Sequence, residues 1–498
     1  MRYGPYRSPT CWLMDGGARI IAVANPSDET ASRAAATSTG HMRSGALAGF
    51  RSARALAISE ASRADIGGNI GPTAESRNPP RTLGSTFQPG QCAPQYRLVG
   101  GAGQRQLFCG SGSKPVTDNP TRRVLVLQGG GALGSYQAGV YEALGKADLQ
   151  PDWVAGISIG AINAAIIAGN APARRLERLH EFWTLVTSQW PLGAQAHTDQ
   201  LRAMLGDASI GWAVAAGVPG FFSPRGMSAL FTAGGGPQAI SFYDTTPLKA
   251  TLERLVDFDR INARETRLSV GAVNIRTGNF AYFDNTHTRI GPEHIMASGA
   301  LPPGFPPVEI DGEWYWDGGL VSNTPLEYVL DEDQTDNLVI YQVDLFNARG
   351  PMPKTIPEAA EREKDIRFSS RTRLNTDAQL RIHRLKSALA GVLKVLPAAT
   401  IADADLKLLE AFSKENTVTV VQLIYRDRAY EGAYKDVEFS RQTMLDHWAS
   451  GVTDGEHAVL RRKTNPPNPK PGGAVSVDPG LDHPADRTSP EDPKDAAR

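Results

Sequence analysis

Gly156-Ile157-Ser158-Ile159-Gly160 sets a hydroxyl between two residues that have no side chain. A serine becomes useful as a nucleophile when it stands on a sharp strand-to-helix turn with its oxygen exposed, and flanking glycines permit that turn. The helix that follows adds positive potential at its N-terminus, where a developing anion would sit. Three fixed positions are a weak signature, and the same pattern suits an ordinary turn whose serine caps the helix. The context of a nucleophile elbow is nevertheless present. Trp153-Val154-Ala155 reads as a short strand before the serine, and Ala161 to Ala168 as a nearly all-apolar, buried helix after it.

A second candidate precedes the first. Gly129-Gly130-Gly131-Ala132-Leu133-Gly134 follows the apolar run Val124-Leu125-Val126-Leu127 and opens a helix read from Ser135 to Leu144. A continuous apolar run suits a strand buried on both faces. Strand, helix, strand, helix at this spacing is a βαβ unit, whose two loops leave the same edge of a parallel sheet side by side. Backbone N–H groups of the glycine loop would then face Ser158 as an oxyanion hole. Gly129-x-Gly131-x-x-Gly134 equally fits the dinucleotide fingerprint. That reading wants an acid at the end of the second strand, which here ends in Gly156-Ile157-Ser158, with Asp152 before it. No Gly-Lys-Ser/Thr follows the loop, so a P-loop is excluded.

Asp317-Gly318-Gly319 is the third. It follows Trp314-Tyr315-Trp316, a short apolar strand. Asp-Gly is a common surface turn. Aromatic neighbours would instead desolvate the carboxylate and raise its basicity, which a base with an ordinary pKa of about 3.9 needs. A histidine base would follow the acid in chain order. His383, His447, His457 and His483 do so, but none stands on a loop after a recognisable core strand. His287 and His294 read as surface or capping residues. No histidine has metal-ligand spacing, so neither a metal nor a cofactor is expected.

The elements around these residues predict an α/β fold: a central, mostly parallel sheet flanked by helices, with a helical insertion and a mainly helical C-terminal region. The insertion runs over residues 172–260 and carries Phe182, Trp183, Trp190, Trp212, Phe221 and Phe222. The stretch from Phe182 to Phe222 is expected to line or cover an apolar pocket. Leu268 to Ile275 and Asn279 to Phe283 read as a hairpin about Arg276-Thr277-Gly278. Leu338 to Leu345 and Val418 to Tyr425 read as strands, Pro357 to Leu396 as helix, and Arg441 to Trp448 as a final helix. Residues 1–120 are rich in Gly, Ala, Ser, Arg and Pro without periodicity and read as a disordered extension; 121–345 form the hydrolase-like domain; 346–462 form the C-terminal region; 463–498, rich in Pro and Asp, read as a disordered tail.

Composition narrows the class. The chain has 498 residues, 52 Lys+Arg against 53 Asp+Glu, and a net charge of −1, so nothing marks a nucleic-acid partner. No run of apolar residues is long enough to cross a membrane. Three cysteines, Cys11, Cys92 and Cys109, follow no disulfide or zinc spacing, and the N-terminus lacks a secretory signal. A cytoplasmic location is expected. Arg174, Arg175 and Arg178 read as a solvated helix face, with contact to an anionic bilayer as the alternative. Oligomeric state is not encoded.

Taken together, the glycine-rich loop, G-x-S-x-G and D-G-G resemble the patatin-like phospholipase family. So do Ala297-Ser298-Gly299-Ala300-Leu301-Pro302-Pro303-Gly304-Phe305-Pro306-Pro307 and Asn323-Thr324-Pro325. The likeness covers about residues 123–330. It implies hydrolysis of acyl esters by a Ser–Asp dyad: Ser158 as nucleophile, Asp317 as base, and Gly129, Gly130 and Gly131 lining the oxyanion hole. Gly134, Gly156, Gly160, Gly318 and Gly319 support the motifs. The implied substrate is a phospholipid, lysophospholipid or related acyl lipid. Many members carry Arg or Lys where Leu133 stands, which argues against strong phosphate recognition. Residues from Asp336 on, including Asp365-Ile366-Arg367-Phe368-Ser369-Ser370-Arg371, resemble an uncharacterised region attached to some bacterial members. A dinucleotide-binding oxidoreductase and a non-catalytic lipid-binding module stay open beside the hydrolase.

Because the first apolar strand begins near Arg123, a chain lacking residues 1–115 is expected to fold and keep its activity. An insoluble or inactive truncation would show that the extension packs on the domain.

Overall fold

The computed structural model describes residues 12–15, 19–22, 120–188, 198–225, 236–332, 335–396, 403–426, 430–432, 434–467 and 469–482. The chain divides into two units, residues 1–106 and 107–498. In the first, Trp12–Asp15 and Arg19–Ala22 pair as an antiparallel hairpin, where no regular structure was expected. The rest of residues 1–119 lies outside the described residues, as does Trp190.

The second unit is built on a nine-stranded sheet. Its strands are β1 (Thr121–Leu127), β2 (Trp153–Gly156), β3 (Arg267–Asn274), β4 (Phe280–Asp284), β5 (Val308–Ile310), β6 (Glu313–Asp317), β7 (Asn337–Asp344), β8 (Val418–Ile424) and β9 (Ala474–Val477). Six run parallel in the order β9-β8-β7-β1-β2-β3. The pairs β3–β4, β3–β6 and β6–β5 are antiparallel. Val124 to Leu127 are wholly buried, as continuous apolar strands covered on both faces must be.

One consequence of register positions the site. Ala272 and Val273 of β3 pair with both β4 and β6, and Ser269 and Val270 pair with both β4 and β2. Hence β2 and β6 share the edge of β3 opposite β4. They run toward each other along it, Gly156 ending opposite Val270 and Asp317 opposite Ala272.

Helices cover the sheet: α1 (Gly134–Lys146), α2 (Ile159–Ala168), α3 (Pro172–Val186), α4 (Asp199–Ala216), α5 (Thr246–Leu255), α6 (Phe258–Asn262), α7 (Pro292–Ser298), α8 (Leu326–Asp331), α9 (Ile356–Leu393), α10 (Asp403–Phe412) and α11 (Arg441–Thr464). None of the described helices is long and apolar enough to cross a membrane.

Three expectations are corrected here. The last helix runs to Thr464, well past Trp448. Gly451 and Gly455 argue against helix on propensity, yet they are the positions where α11 lies against α1. A Cβ on Gly451 would stand 2.0 Å from the Tyr136 carbonyl oxygen. The presumed tail is ordered through residue 482: Ala474–Val477 pairs in parallel with β8, an alternating segment hidden in Pro-rich composition. Arg175 is not on a solvated face. It is buried and donates to Asn170 O, Gln150 Oε1 and Thr266 Oγ1 at 3.1, 3.0 and 2.8 Å, while Arg174 and Arg178 pair with Glu177 and Glu181.

Ending the chain at Gly473 removes β9 and bares the edge of β8, including buried Val418 and Val420. The apparent Tm is expected to fall by ~5 °C or more. An unchanged melting curve would mean the strand contributes nothing.

Candidate active site

Ser158 leaves β2 with φ 55° and ψ −124°, a strained backbone for a residue with a side chain. The turn is tight because nothing larger than glycine fits on either side. A Cβ on Gly156 would lie 2.3 Å from Gly160 O, and one on Gly160 would lie 2.4 Å from Leu127 O. The elbow is pinned from outside as well. Ser158 N–H donates to Ser298 Oγ at 3.0 Å, and the Ser298 hydroxyl donates to Gly271 O at 2.7 Å. The serine motif is thus fixed to α7 and to β3, the strand on which Asp317 of β6 pairs.

Asp317 ends β6 and is 2% exposed. Its carboxylate receives the Ser158 hydroxyl and, at 2.7 Å, the N–H of Gly319. Burial dominates these two donors and pushes the carboxyl up to about 6. Trp314 and Trp316 lie on the other face by strand alternation, so the desolvation is not their doing alone. Gly318 takes its place against Gly271 O and Ile157, where a Cβ would not fit.

The glycine loop lies beside the serine: a Cβ on Gly129 would stand 3.0 Å from Ser158 Cβ. Asn323 ties the loop down by two bonds, Nδ2 donating to Gly129 O at 2.9 Å and its own carbonyl accepting Gly129 N–H at 3.2 Å. Gly129 therefore lines the site but has no N–H left for a substrate. Among the described residues, no partner takes the N–H of Gly130 or Gly131. Gly134 packs under the loop against Ile159 and Trp183, and Leu133 is buried in the core. Buried Gln128 joins this loop to the end of β7. Its Oε1 accepts from Leu345 and Phe346 N–H, and its Nε2 donates to Thr324 Oγ1.

Ser158, Asp317 and the three glycines open into one cavity of about 340 Å³. Its walls are mostly apolar: Phe221, Phe222, Tyr243, Leu301, Phe305, Phe346, Phe368 and Phe439. Of the expected aromatic stretch, only its end supplies lining rings. Phe182 and Trp183 lie in the core beneath, and Trp212 is exposed. Among the described residues, no histidine lines the cavity. His383 is bonded to Asn416 O, His447 to Glu431, and His294 Nδ1 accepts Gly291 N–H. His287 is exposed, and His483 lies outside the described residues. Sequence reasoning passed over Ser298, Asn323 and Gln128 as functional side chains; the first two stand inside segments already singled out for their resemblance.

The buried carboxyl has a measurable cost. Below about pH 4 both folded and unfolded chains hold the Asp317 proton; between about 4 and 6 only the folded chain keeps it, so folding stability falls as pH rises through this window. Ionised Asp317 thus costs on the order of 1–3 kcal/mol at neutral pH. Asp317→Asn is expected to melt higher than the parent at pH 8, with the difference vanishing near pH 4 in thermal denaturation. An Asn variant that melts lower at both would show that the carboxylate is not desolvated.

Residues 125–330 match the patatin-like phospholipase family, and residues 366–470 match a second family described as patatin phospholipase. A cGAMP-activated phospholipase of Escherichia coli (strain TW11681) is 26% identical over 231 residues, 42% of this chain and 54% of that protein. The chain therefore spans about half the length of the curated relative it matches. Solved structures with likeness include VipD from Legionella pneumophila (13% identity, 69% of this chain and 67% of that one, TM-score 0.31) and the type III effector ExoU (13% identity, 70% and 54%, TM-score 0.27). The family match falls on the stretch that holds the glycine loop, the serine elbow and Asp317, and this stretch, residues 125–330, is a patatin-like phospholipase domain.

Proposed function

We propose that the protein hydrolyses acyl esters of lipids through a Ser158–Asp317 dyad. The observation that carries this is the Ser158 hydroxyl on a strained elbow, bonded to a buried carboxylate, at the floor of an apolar cavity. Asp317 accepts the serine proton as Ser158 Oγ attacks the ester carbonyl. The N–H groups of Gly130 and Gly131 receive the oxyanion, each such donor being worth roughly 10²–10³ in rate. The alcohol leaves with the proton, and water, deprotonated by Asp317, then releases the fatty acid and restores the serine. The phospholipase descriptions of the family and of the E. coli relative support an acyl lipid as substrate. Exposed Trp212, Val214, Phe242, Leu301, Leu320 and Val321, several of them on or next to lining residues, suit a mouth that meets a lipid aggregate.

The dinucleotide reading loses ground on geometry. Asn323 and the carbonyl oxygen of Asp436 crowd the glycine loop where a pyrophosphate would have to approach. Pure lipid binding would need neither the strained serine nor its buried partner.

Fluorophosphonate labelling followed by peptide mapping is expected to place the adduct on Ser158, and Ser158→Ala to abolish ester hydrolysis. An adduct elsewhere, or residual activity above about a tenth, removes Ser158 from the mechanism. The base must be unprotonated, so kcat/KM is expected to climb with pH to a plateau above about 6. Asp317→Asn is expected to lose activity by orders of magnitude, and single His→Ala changes at His383, His447, His457 and His483 are not. Longer-chain esters are expected to outperform acetyl esters; a flat profile would count against an acyl-binding cavity.

A further inference from the structure

The second matched segment has so far carried no role, yet one side of the cavity is made from it. Asp436, Val437 and Phe439 come from the loop before α11, and Phe368 comes from α9, inside the Asp365–Arg371 stretch. The loop lies on the catalytic machinery itself. Gly131 has φ +55°, and a Cβ there would stand 2.1 Å from the carbonyl oxygen of Asp436, so the backbone of the C-terminal region rests on the proposed oxyanion loop. Phe439 joins a ring cluster of the first matched segment, and Phe368 meets the ring just past the end of β7. Phe439 stands 6.1 Å from Phe221, which also meets Phe222 and Phe305; Phe368 stands 5.0 Å from Phe346.

The loop is held there by charge. The Lys435 ammonium, its side chain 1% exposed, pairs with Asp365 at 2.9 Å and with Glu361 at 3.4 Å, both on α9. Lys364, also on α9, pairs with Asp436. Glu438 closes the other end by accepting Ser440 N–H and Oγ at 2.8 and 3.0 Å. A buried ammonium between carboxylates is costly to form and more costly to break, so it fixes geometry more surely than it adds stability.

We infer that the C-terminal region completes the substrate site: Phe439 and Phe368 set which acyl chains fit, and Lys435 is the positioning residue that seats their loop on Gly131. This rests on reading the cavity as an acyl site, and deepens it. Replacing either ring by alanine lengthens the cavity; replacing it by tryptophan shortens it. Each further methylene admitted is worth about fourfold in Kd.

The test uses the full chain carrying Ser158→Ala, so that it reads cavity shape without turnover. Straight-chain fatty acids from hexanoate to octadecanoate displace a fluorescent fatty-acid probe, giving a chain-length profile. Phe439→Ala and Phe368→Ala are expected to move the optimum to longer chains by about fourfold in Kd per added methylene, and the tryptophan variants to move it to shorter ones. Lys435→Met is expected to flatten the profile, and Lys435→Arg to restore it, a rescue that loss of folding alone would not give. Profiles matching the parent within about twofold in both tryptophan variants and in Lys435→Met would overturn the inference. Fluorophosphonate labelling of the unmodified chain, run in parallel, separates this from failure of the hydrolase reading: no adduct on Ser158 sinks the latter, while the binding profiles judge the former alone.

Discussion

A carboxylate removed from water is the constraint on which this site depends. Among the described residues Asp317 has two donors, the Ser158 hydroxyl and the Gly319 N–H, and together they do not offset its desolvation. The same shortage that makes the folded chain pay for ionisation makes the group a competent base near neutrality. Everything nearby serves to keep that environment dry and fixed: the opposed ends of β2 and β6 along one edge of β3, the Ser298 bridge from the elbow to Gly271, and the Asn323 clamp on the glycine loop.

Much of this was legible without coordinates, for identifiable reasons. A buried parallel strand is written as a continuous apolar run, and Val124 to Leu127 and Leu338 to Tyr341 announce themselves so. The serine elbow and the Asp-Gly-Gly turn were legible because each is a short contiguous motif, although Gly160 and Gly318 pack on backbone distant in sequence, at Leu127 and Gly271. What was not legible depends on distant partners. Arg175 looks like a surface cation until loops from residues 150, 170 and 266 surround it. Gly451 and Gly455 look like helix breakers until α1 needs the room. Ala474–Val477 is too short to stand out from its prolines, and becomes a strand only because β8 offers a free edge.

The glycine loop shows the limits of motif reasoning most clearly. Three consecutive glycines suggest three equivalent N–H donors. Their roles separate in the fold: Gly129 spends its N–H on Asn323, Gly130 lies under Leu345 and Phe346, and Gly131 meets the backbone at Asp436. Identical residues in a row acquire different duties because three different parts of the chain converge on them.

The strand order has a temporal meaning. β1, the first strand of the sheet, sits between β2 and β7, and β7 is bounded in turn by β8, so the middle of the sheet is closed by segments made hundreds of residues apart. Long-range parallel pairing of this kind is slow, because loop-closure entropy must be met before contacts reward it. A ribosome that has released the elbow and Asp317 has not yet released residues 436–439, which wall the cavity. The pocket therefore comes into being only after residue 439 has been made, and an unfinished chain holds Ser158 and Asp317 without the wall that closes their cavity.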